Sequence, residues 1–276
     1  MFLSFQVSDV SSADDTISTN QPLSLSQTIV SSGGIFELGF FHENSAIYGS
    51  FYIGMWYRKV SPRTIVWVAN PESPIKSAFD CLLKMSNGNL ILQNERNKAL
   101  WSTGLNSSSS KDVQAVLLDN GNLVLRDGPN SSAAVLWQSF DHPSDTWLPG
   151  AKLKLGSPLL TSWKSSTDPS PGRFSLEVDS KTHSLITLWN GSNSYWSSGP
   201  WDDRLKNFKG LAEGTYLNFI LNLDDSYITY SVDPDLIRAY PLVMVLMDVS
   251  GQFKLQVWRE DFQVWGGDLF SPSENM

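Results

Sequence analysis

Short apolar runs alternate with polar positions along the chain, and turn residues close each run. In one of the clearest runs, Leu90 and Leu92 alternate with Asn89, Ile91 and Gln93. Successive side chains of a strand point to opposite faces, so the two leucines share one face and the other three side chains share the other. Short runs bounded by Gly, Asn and Ser are typical of β-strands. The pattern predicts an all-β protein with helix as a minor component.

A strand-turn-tryptophan unit occurs three times in the first half. Each unit ends in a tryptophan followed by a small or polar tail, and the three tryptophans are Trp67, Trp101 and Trp137. Their spacing of roughly 35 residues is that of one supersecondary repeat. One sheet cannot bury its apolar face alone, so we expect three sheets to pack about a pseudo-threefold axis. The three indole rings are expected to fill the centre.

Apolar runs continue in the second half, where the repeat is more eroded. A stretch rich in Ser and Pro, residues 165–172, carries several turn signals. Strand-like runs then follow at residues 174–178, 185–189, 216–221, 227–232, 242–249 and 253–258. We therefore predict a second β-rich domain of related design.

Composition and charge narrow the class of protein. The 276 residues are 41% hydrophobic and 17% charged, as in a globular protein. The net charge is −8 and no Lys/Arg cluster occurs, which argues against nucleic acid as a partner because phosphate binding needs a basic stripe. No run approaches the ~20 apolar residues of a membrane span. We predict neither nucleic-acid binding nor a membrane span in this chain.

The residues that carry catalysis or bind metals do not form a site in the sequence. Cys81 is the single cysteine, so neither a disulfide nor a cysteine-based zinc site forms within one chain, and a buried thiol is expected. His42 and His183 lack metal-ligand spacing. Residues 141–145 contain Asp, His and Ser, but consecutive residues of a proline turn rarely give the geometry of a catalytic triad. We predict no catalytic site, no metal and no cofactor.

Two features of the sequence indicate the secretory pathway. Residues 1–14 begin with an apolar run and end near a cleavage-like Ser-Ser-Ala, without a basic segment before it, and are predicted to be the remnant of a signal peptide. N-glycosylation sequons stand at Asn106, Asn130 and Asn190, each in a loop-like stretch. We expect an extracellular or cell-surface protein whose signal peptide is incomplete in this chain.

Several segments together resemble one plant family. They are residues 34–41, 67–70, 137–146, 160–165, 168–172 and 198–201. The triplicated unit resembles the bulb-type mannose-binding lectins, and the whole chain is similar to S-locus glycoproteins and to the ectodomains of G-type lectin S-receptor-like kinases. Pro71 departs from the pattern, since family members usually have Arg at that position.

The resemblance implies a division into domains. Residues 15–150 are expected to form a bulb-type lectin domain, a β-prism of three four-stranded sheets. Residues 151–172 are expected to be a connector, and residues 173–276 a second lectin-like S-locus glycoprotein domain. In the family these are followed by EGF-like, PAN, transmembrane and kinase regions, and we expect this chain to stop before them. The chain is therefore not expected to be an enzyme.

The resemblance also implies where a sugar would bind. In bulb-type lectins, mannose is held along one strand by the pattern Q-x-D-x-N-x-V-x-Y. Aligned on the central Asn, the second unit carries Met85 and then the candidate residues Asn87, Asn89, Ile91 and Gln93. The third unit carries Leu118, then the candidates Asn120, Asn122 and Val124, and finally Arg126. The first unit, which keeps little of the polar set, aligns as Gly49, Phe51, Ile53, Met55 and Tyr57.

Magnitudes argue against an ordinary mannose site. Millimolar binding of one sugar corresponds to about −4 kcal/mol, and each hydrogen bond to a charged group contributes about 1.5–3 kcal/mol. The second unit has Met, Asn and Gln where the pattern has Gln, Asp and Tyr. Losing those bonds would remove most of the binding energy, so we predict that free mannose does not bind.

Three classes of function follow. The leading one is a non-catalytic, lectin-like recognition module with a glycan or glycoprotein ligand, and the resemblance implies recognition of pollen or perception of pathogens. The second is a scaffold that binds an extracellular peptide, a receptor partner or another copy, as a homo- or hetero-dimer, without sugar. The third is a glycan-active enzyme.

Overall fold

The computed structural model describes residues 14–42, 50–76, 81–106, 112–128, 134–156, 158–203, 207–208 and 217–267. Its regular structure is almost entirely antiparallel β-sheet, which confirms the all-β prediction. The described helical segments are a 3₁₀ turn at Ser139–Asp141 and one short helix, α1, at Pro234–Ala239. Asp233 caps this helix by accepting a hydrogen bond from the backbone N–H of Asp235.

The first half forms three sheets. Its strands are β1 (Thr16–Ile17), β2 (Thr28–Val30), β3 (Phe36–His42), β4 (Phe51–Tyr57), β5 (Ile65–Val68), β6 (Leu82–Ser86), β7 (Asn89–Gln93), β8 (Ala99–Ser102), β9 (Val113–Leu117), β10 (Leu123–Asp127) and β11 (Val135–Gln138). The first sheet has the order β2-β3-β4-β5, the second β6-β7-β8, and the third β1-β9-β10-β11. Each of the three predicted units therefore supplies the centre of one sheet.

The three tryptophans meet at the axis between the sheets. Trp67, Trp101 and Trp137 contact one another edge to face, with ring centroids 6.1–6.3 Å apart. The indole N–H of Trp67 donates to the backbone oxygen of His142 at 2.8 Å. Edge-to-face contact of this kind stabilises aromatic clusters beyond their buried area. The prediction of a central tryptophan cluster is confirmed.

The strand register corrects the alignment of the first unit. The residue opposite each tryptophan is equivalent in the three sheets: Met55 faces Trp67, Leu92 faces Trp101, and Leu125 faces Trp137. Tyr52, and not Ile53, therefore corresponds to Asn89 and Asn122. Ile53, Met55 and Tyr57 lie in the core, and Phe51 belongs to the same inward-facing set. The predicted alignment is wrong by one residue, which moves every side chain to the opposite face.

The second half forms further antiparallel sheets. Its strands are β12 (Thr146–Trp147), β13 (Leu153–Lys154), β14 (Leu160–Trp163), β15 (Pro171–Val178), β16 (Leu185–Trp189), β17 (Asn193–Ser197), β18 (Trp201–Asp202), β19 (Asn207–Phe208), β20 (Leu217–Asn222), β21 (Tyr227–Val232), β22 (Val243–Met247), β23 (Phe253–Arg259) and β24 (Val264–Gly266). The sheet orders are β14-β15-β16-β17, β12-β22-β23-β24, β13-β21-β20 and β18-β19. Trp147 is fully buried at the centre of this core.

Residues 151–172 do not form a free connector. β13 pairs with β21, and β14 pairs with β15, so this stretch belongs to the sheets of the second half. Even β12, which precedes residue 150, pairs with β22. β13 has two residues and a partner far away in sequence, so it leaves no local pattern, and the turn signals at residues 165–172 concealed the pairing of β14 with β15. The division into domains otherwise stays a prediction.

The two halves pack against each other. The hydroxyl of Tyr57 donates to the backbone oxygen of Val243 at 3.0 Å, and burial raises the pKa of that phenol. The indole N–H of Trp265 donates to the Thr64 hydroxyl at 2.8 Å. Trp258, from the second half, lies in the core of the first. The second half thus covers part of the first sheet, and this decides which sugar-binding positions are accessible.

Candidate functional site

The candidate positions of the second unit do not lie on one continuous strand. β6 ends at Ser86 and β7 begins at Asn89, and these two residues face each other across a two-residue turn. The turn is formed by Asn87 and Gly88, whose φ angles are 50° and 74°; such Asn-Gly turns are typical of tight hairpins. The side chain of Asn87 is thus at the hairpin tip, off the face of β7.

Met85 faces the core. It lies on β6 opposite Leu90 and is only 4% exposed. The prediction that Met85 shares a face with Asn89 is wrong, because the turn after Ser86 reverses the chain. Replacing Met85 by Gln would bury an amide among apolar side chains and would not rebuild a sugar site.

The amide of Asn89 already makes hydrogen bonds within the protein. Its oxygen accepts from the backbone N–H of Leu105 at 2.7 Å and from the hydroxyl of Thr103 at 3.0 Å. Its nitrogen donates to the backbone oxygen of Leu105 at 3.0 Å and to that of Asn87 at 3.3 Å. A sugar hydroxyl would have to replace one of these bonds. The amide therefore anchors the segment after Trp101 to β7.

The rest of this outer face offers little to a sugar. Ile91 is half-buried between Lys84 and Ser102 on the neighbouring strands. Gln93 donates to the backbone oxygen of Asn97 at 3.2 Å. The side-chain oxygen of Gln93 is buried and has no hydrogen-bond partner among the described residues. The face thus has amide and aliphatic groups where the mannose pattern requires a carboxylate and a phenol.

The equivalent positions of the third sheet are less exposed than those of the second sheet. Asn122 is 6% exposed and Val124 is 2% exposed. The amide nitrogen of Asn122 donates to the side-chain oxygen of Gln138 at 2.9 Å, and its oxygen accepts from the Ser139 hydroxyl at 3.2 Å. Asn120 is exposed, and its side-chain oxygen accepts from the backbone N–H of Asn122 at 3.1 Å. Asn120 therefore serves a turn and Asn122 a buried hydrogen-bond network, while Val124 is simply buried.

The outer face of the first sheet is covered. Tyr52 packs there with Phe41 and Val68, and Trp163 from the second half packs against this cluster. Gly54 occupies the position of Ile91 and Val124, and a Cβ atom on it would lie 2.5 Å from the Phe41 ring. The strand position at Gly54 therefore has no space for a ligand.

In the second and third sheets, the residue two positions after the tryptophan carries a hydroxyl that bonds to the asparagine side chain and also connects two strands. Thr103 accepts from the backbone N–H of Leu90 at 3.2 Å, and Ser139 accepts from that of Leu123 at 2.9 Å. In the first sheet the side chain of Asn70 takes the place of this hydroxyl and accepts from the backbone N–H of Ile53 at 2.8 Å. Small residues follow each tryptophan in the sequence, but the hydrogen bonds by which they connect neighbouring strands were not predicted.

Two of the three predicted glycosylation positions lie within the described residues. Asn106 is exposed at the end of a described segment, and Asn190 is exposed in the turn between β16 and β17 with φ of 50°. Asn130 lies outside the described residues. Cys81 is buried in the first core, as expected for a thiol that packs like a small apolar group.

Residues 141–145 do not assemble a catalytic triad. The ring of His142 stacks on Trp137 at 5.1 Å, and burial lowers the pKa of this imidazole. The hydroxyl of Ser144 donates to Asp145 at 3.3 Å and approaches the backbone oxygen of Val66 at 3.5 Å. Within the described ranges, no group of three or more His, Cys, Asp or Glu side chains is placed to hold a metal. No helix in the same ranges is long and apolar enough to cross a membrane.

A family model places the class of the domain. Residues 64–165 match the D-mannose binding lectin family. Among solved structures, a monomeric monocot mannose-binding lectin from Gastrodia elata is similar to 46% of this chain over 96% of its own length, at 18% identity and a TM-score of 0.34. On the strength of the family match, the chain contains a non-catalytic, bulb-type lectin module.

Curated relatives identify the family. A G-type lectin S-receptor-like serine/threonine-protein kinase of Arabidopsis thaliana is 60% identical over 99% of this chain, which spans 35% of that protein. A second such kinase is 51% identical over 92% of this chain and 31% of the relative. An S-locus-specific glycoprotein of Brassica oleracea is 38% identical over 94% of this chain and 60% of the relative. The chain belongs to the family of S-locus glycoproteins and G-type lectin S-receptor-like kinases. It matches their lectin-bearing part, and the kinase part of the relatives lies outside the match.

Proposed function

We propose that this chain is the extracellular recognition module of a plant receptor-type protein and that it contributes to recognition of pollen or perception of pathogens. Its ligand is a glycoprotein, and free mannose does not bind at the three strand positions. The statement that free mannose does not bind rests on the hydrogen-bond network of Asn89 and Asn122. Both amides are used to hold strands together, so neither is available to a sugar without loss of a protein hydrogen bond.

The closed outer faces favour a protein surface as the recognition element. Two of the three faces are covered or buried, and the open one lacks a carboxylate acceptor. A scaffold that binds a peptide, a receptor partner or a second copy without any sugar is therefore the second candidate. A glycan array run beside a pull-down from plant extracellular fluid separates the two, because a scaffold would capture protein after enzymatic removal of all glycans.

Calorimetry with mannose tests the proposal directly. We expect no saturable heat below about 10 mM, a range that includes millimolar affinity. A monocot mannose-binding lectin titrated under the same conditions is the positive control. Saturable binding of mannose that is lost on Asn89→Ala would contradict the proposal and place a working site on β7.

The extracellular location is part of the same proposal. A secreted form with a complete signal peptide is expected to carry N-glycans at Asn106 or Asn190, because both are exposed in loops or turns. Glycosidase treatment of protein secreted from plant cells should reduce its mass. The double variant Asn106→Gln, Asn190→Gln is the control, since any mass shift that it keeps reports Asn130 alone. No shift for the parent protein would argue against secretion through the glycosylating pathway.

A further inference from the structure

A pocket of about 560 Å³ lies between the first sheet and the second half of the chain. Phe41, Trp163 and Met244 form part of its apolar wall, Asp145 contributes a carboxyl, and Ser166 lies exposed at its edge. The three strand positions discussed above are not part of this pocket. It combines an aromatic wall with a buried acid, and this combination is the basis of the inference.

The carboxyl of Asp145 is buried without a counter-ion. The residue is 8% exposed, and the hydrogen bonds from Ser144 and Thr146 both go to Oδ1, at 3.3 and 3.1 Å. Among the described residues, no Lys or Arg forms an ion pair with this residue. Burial raises the pKa of Asp145 to about 7, while the two hydroxyls act in the opposite direction.

Trp163 adds a second unsatisfied group beside the carboxyl. Its indole Nε1 is buried and makes no hydrogen bond within the described part of the chain. The indole faces Asp145 and lowers the pKa of the carboxyl, yet no hydrogen bond closes between them. Buried polar groups are normally paired, and an unpaired buried charge is costly. The carboxylate therefore lacks a cationic partner, whereas the indole N–H is a donor that only the carboxyl or another acceptor could pair.

The other charged groups that line the pocket already have interactions. Asp248 forms an ion pair with Lys254 at 2.7 Å. The guanidinium of Arg63 lies over the Trp56 ring, 4.3 Å from its centroid. His42 is exposed at the end of β3 and its ring contacts Phe51 at 5.6 Å. Asp145 is thus the carboxyl of this pocket that lacks a cation among the described residues.

We propose that this pocket binds an ammonium or guanidinium group carried on an apolar stem, such as a basic side chain of a peptide. The carboxylate of Asp145 supplies the counter-ion, and the aromatic faces of Phe41 and Trp163 contact the stem. A carboxylate beside aromatic rings is the arrangement that attracts organic cations, since the ring faces are themselves negative. Pairing also removes the cost of a lone buried charge. The inference is independent of whether a sugar binds the strand faces.

Benzylamine and benzyl alcohol are a matched pair of probes, because they share the ring and differ in charge. The readout is the NMR signal of the Trp163 indole N–H, which lies beside Asp145. Benzylamine is expected to shift this signal saturably at pH 8. At pH 6 its affinity should be roughly tenfold weaker, because a carboxyl with a pKa near 7 is then mostly neutral. Benzyl alcohol should bind more weakly and without this pH dependence.

Two variants test the pocket by different routes. Asp145→Asn keeps the shape and removes the charge, so benzylamine binding should fall at least tenfold. Ser166→Arg places a cation at the pocket edge without touching Asp145, and should also abolish binding. Ser166→Ala is its matched control and should bind as the parent does. If Asp145→Asn does not fold, the Ser166 pair decides the question.

Other results would overturn the proposal. Equal binding of benzyl alcohol, unaffected by Asp145→Asn, would mean an apolar pocket only. A shift produced by methyl α-mannoside and not by benzylamine would mean a sugar pocket. No shift with any probe, in protein whose fold is verified, would mean that Asp145 and Trp163 serve the contact between the halves alone.

Discussion

The first and second sheets of the prism share their inner faces and differ in their outer faces. On the inside, Met55 and Leu92 stand at the same position, each opposite a tryptophan of the central cluster. On the outside, Tyr52 is 1% exposed beneath the second half of the chain, whereas Asn89 is only half-buried. One repeat has therefore turned its outer face into a contact between the halves, and the other leaves it accessible.

The difference shows which part of the repeat the fold requires. The inner face must fill the axis, because three sheets bury their apolar sides only against each other. The outer face has no such constraint, so it can pack on another domain or remain open. The candidate sugar-binding residues lie on the unconstrained side, so they can differ without loss of the fold.

The largest expected effect tests the shared inner face. Trp67→Ala removes a 5% exposed indole from the central cluster, and we expect the free energy of unfolding to fall by about 3–5 kcal/mol. Trp189→Ala is the control, since that side chain is 40% exposed and should matter much less. Denaturant unfolding of both variants gives the comparison. Equal losses would mean that the cluster is not the centre of stability.

The next effect separates the two outer faces. Gly54→Ile gives the first sheet the residue that the second sheet carries as Ile91, and its side chain would collide with the Phe41 ring. Overpacking of this kind costs about 1–3 kcal/mol. Ile91→Val, on the open face, should cost less than about 1 kcal/mol. If the parent and Gly54→Ile show the same denaturation midpoint, the Phe41 ring has room to move and this outer face is not tightly packed.

Much of the fold could be predicted from local pattern. The runs predicted at residues 185–189 and 227–232 coincide with β16 and β21, and the three tryptophans meet as expected. β12 and β13 were missed because each has two residues and pairs with a strand more than 70 residues away. No local periodicity records such a pairing.

The candidate site was less predictable. The Asn87-Gly88 dipeptide is a hairpin signal, and recognising it would have separated Met85 from Asn89. The one-residue error in the alignment of the first unit had another cause. That unit has no central Asn to align, and only the strand register shows that Tyr52 is the equivalent residue. The Asp145 pocket could not be predicted at all, because its lining comes from strands of both halves.

The smallest expected effect decides what the asparagines do. Asn89→Leu leaves the backbone N–H of Leu105 and the hydroxyl of Thr103 without their acceptor, so the free energy of unfolding should fall by about 1–2 kcal/mol. Asn122→Leu should lose a similar amount, because its amide bonds Gln138 and Ser139 in the same way. Asn106→Ala, in protein made without glycosylation, should change stability by less than about 0.5 kcal/mol, since Asn106 is exposed. A neutral Asn89→Leu beside a destabilising Asn122→Leu would mean that the second sheet holds its amide free. Only the open outer face of the second sheet would then keep an amide able to bind a sugar hydroxyl. The sheets would differ in whether this position is used within the protein or is vacant for a ligand.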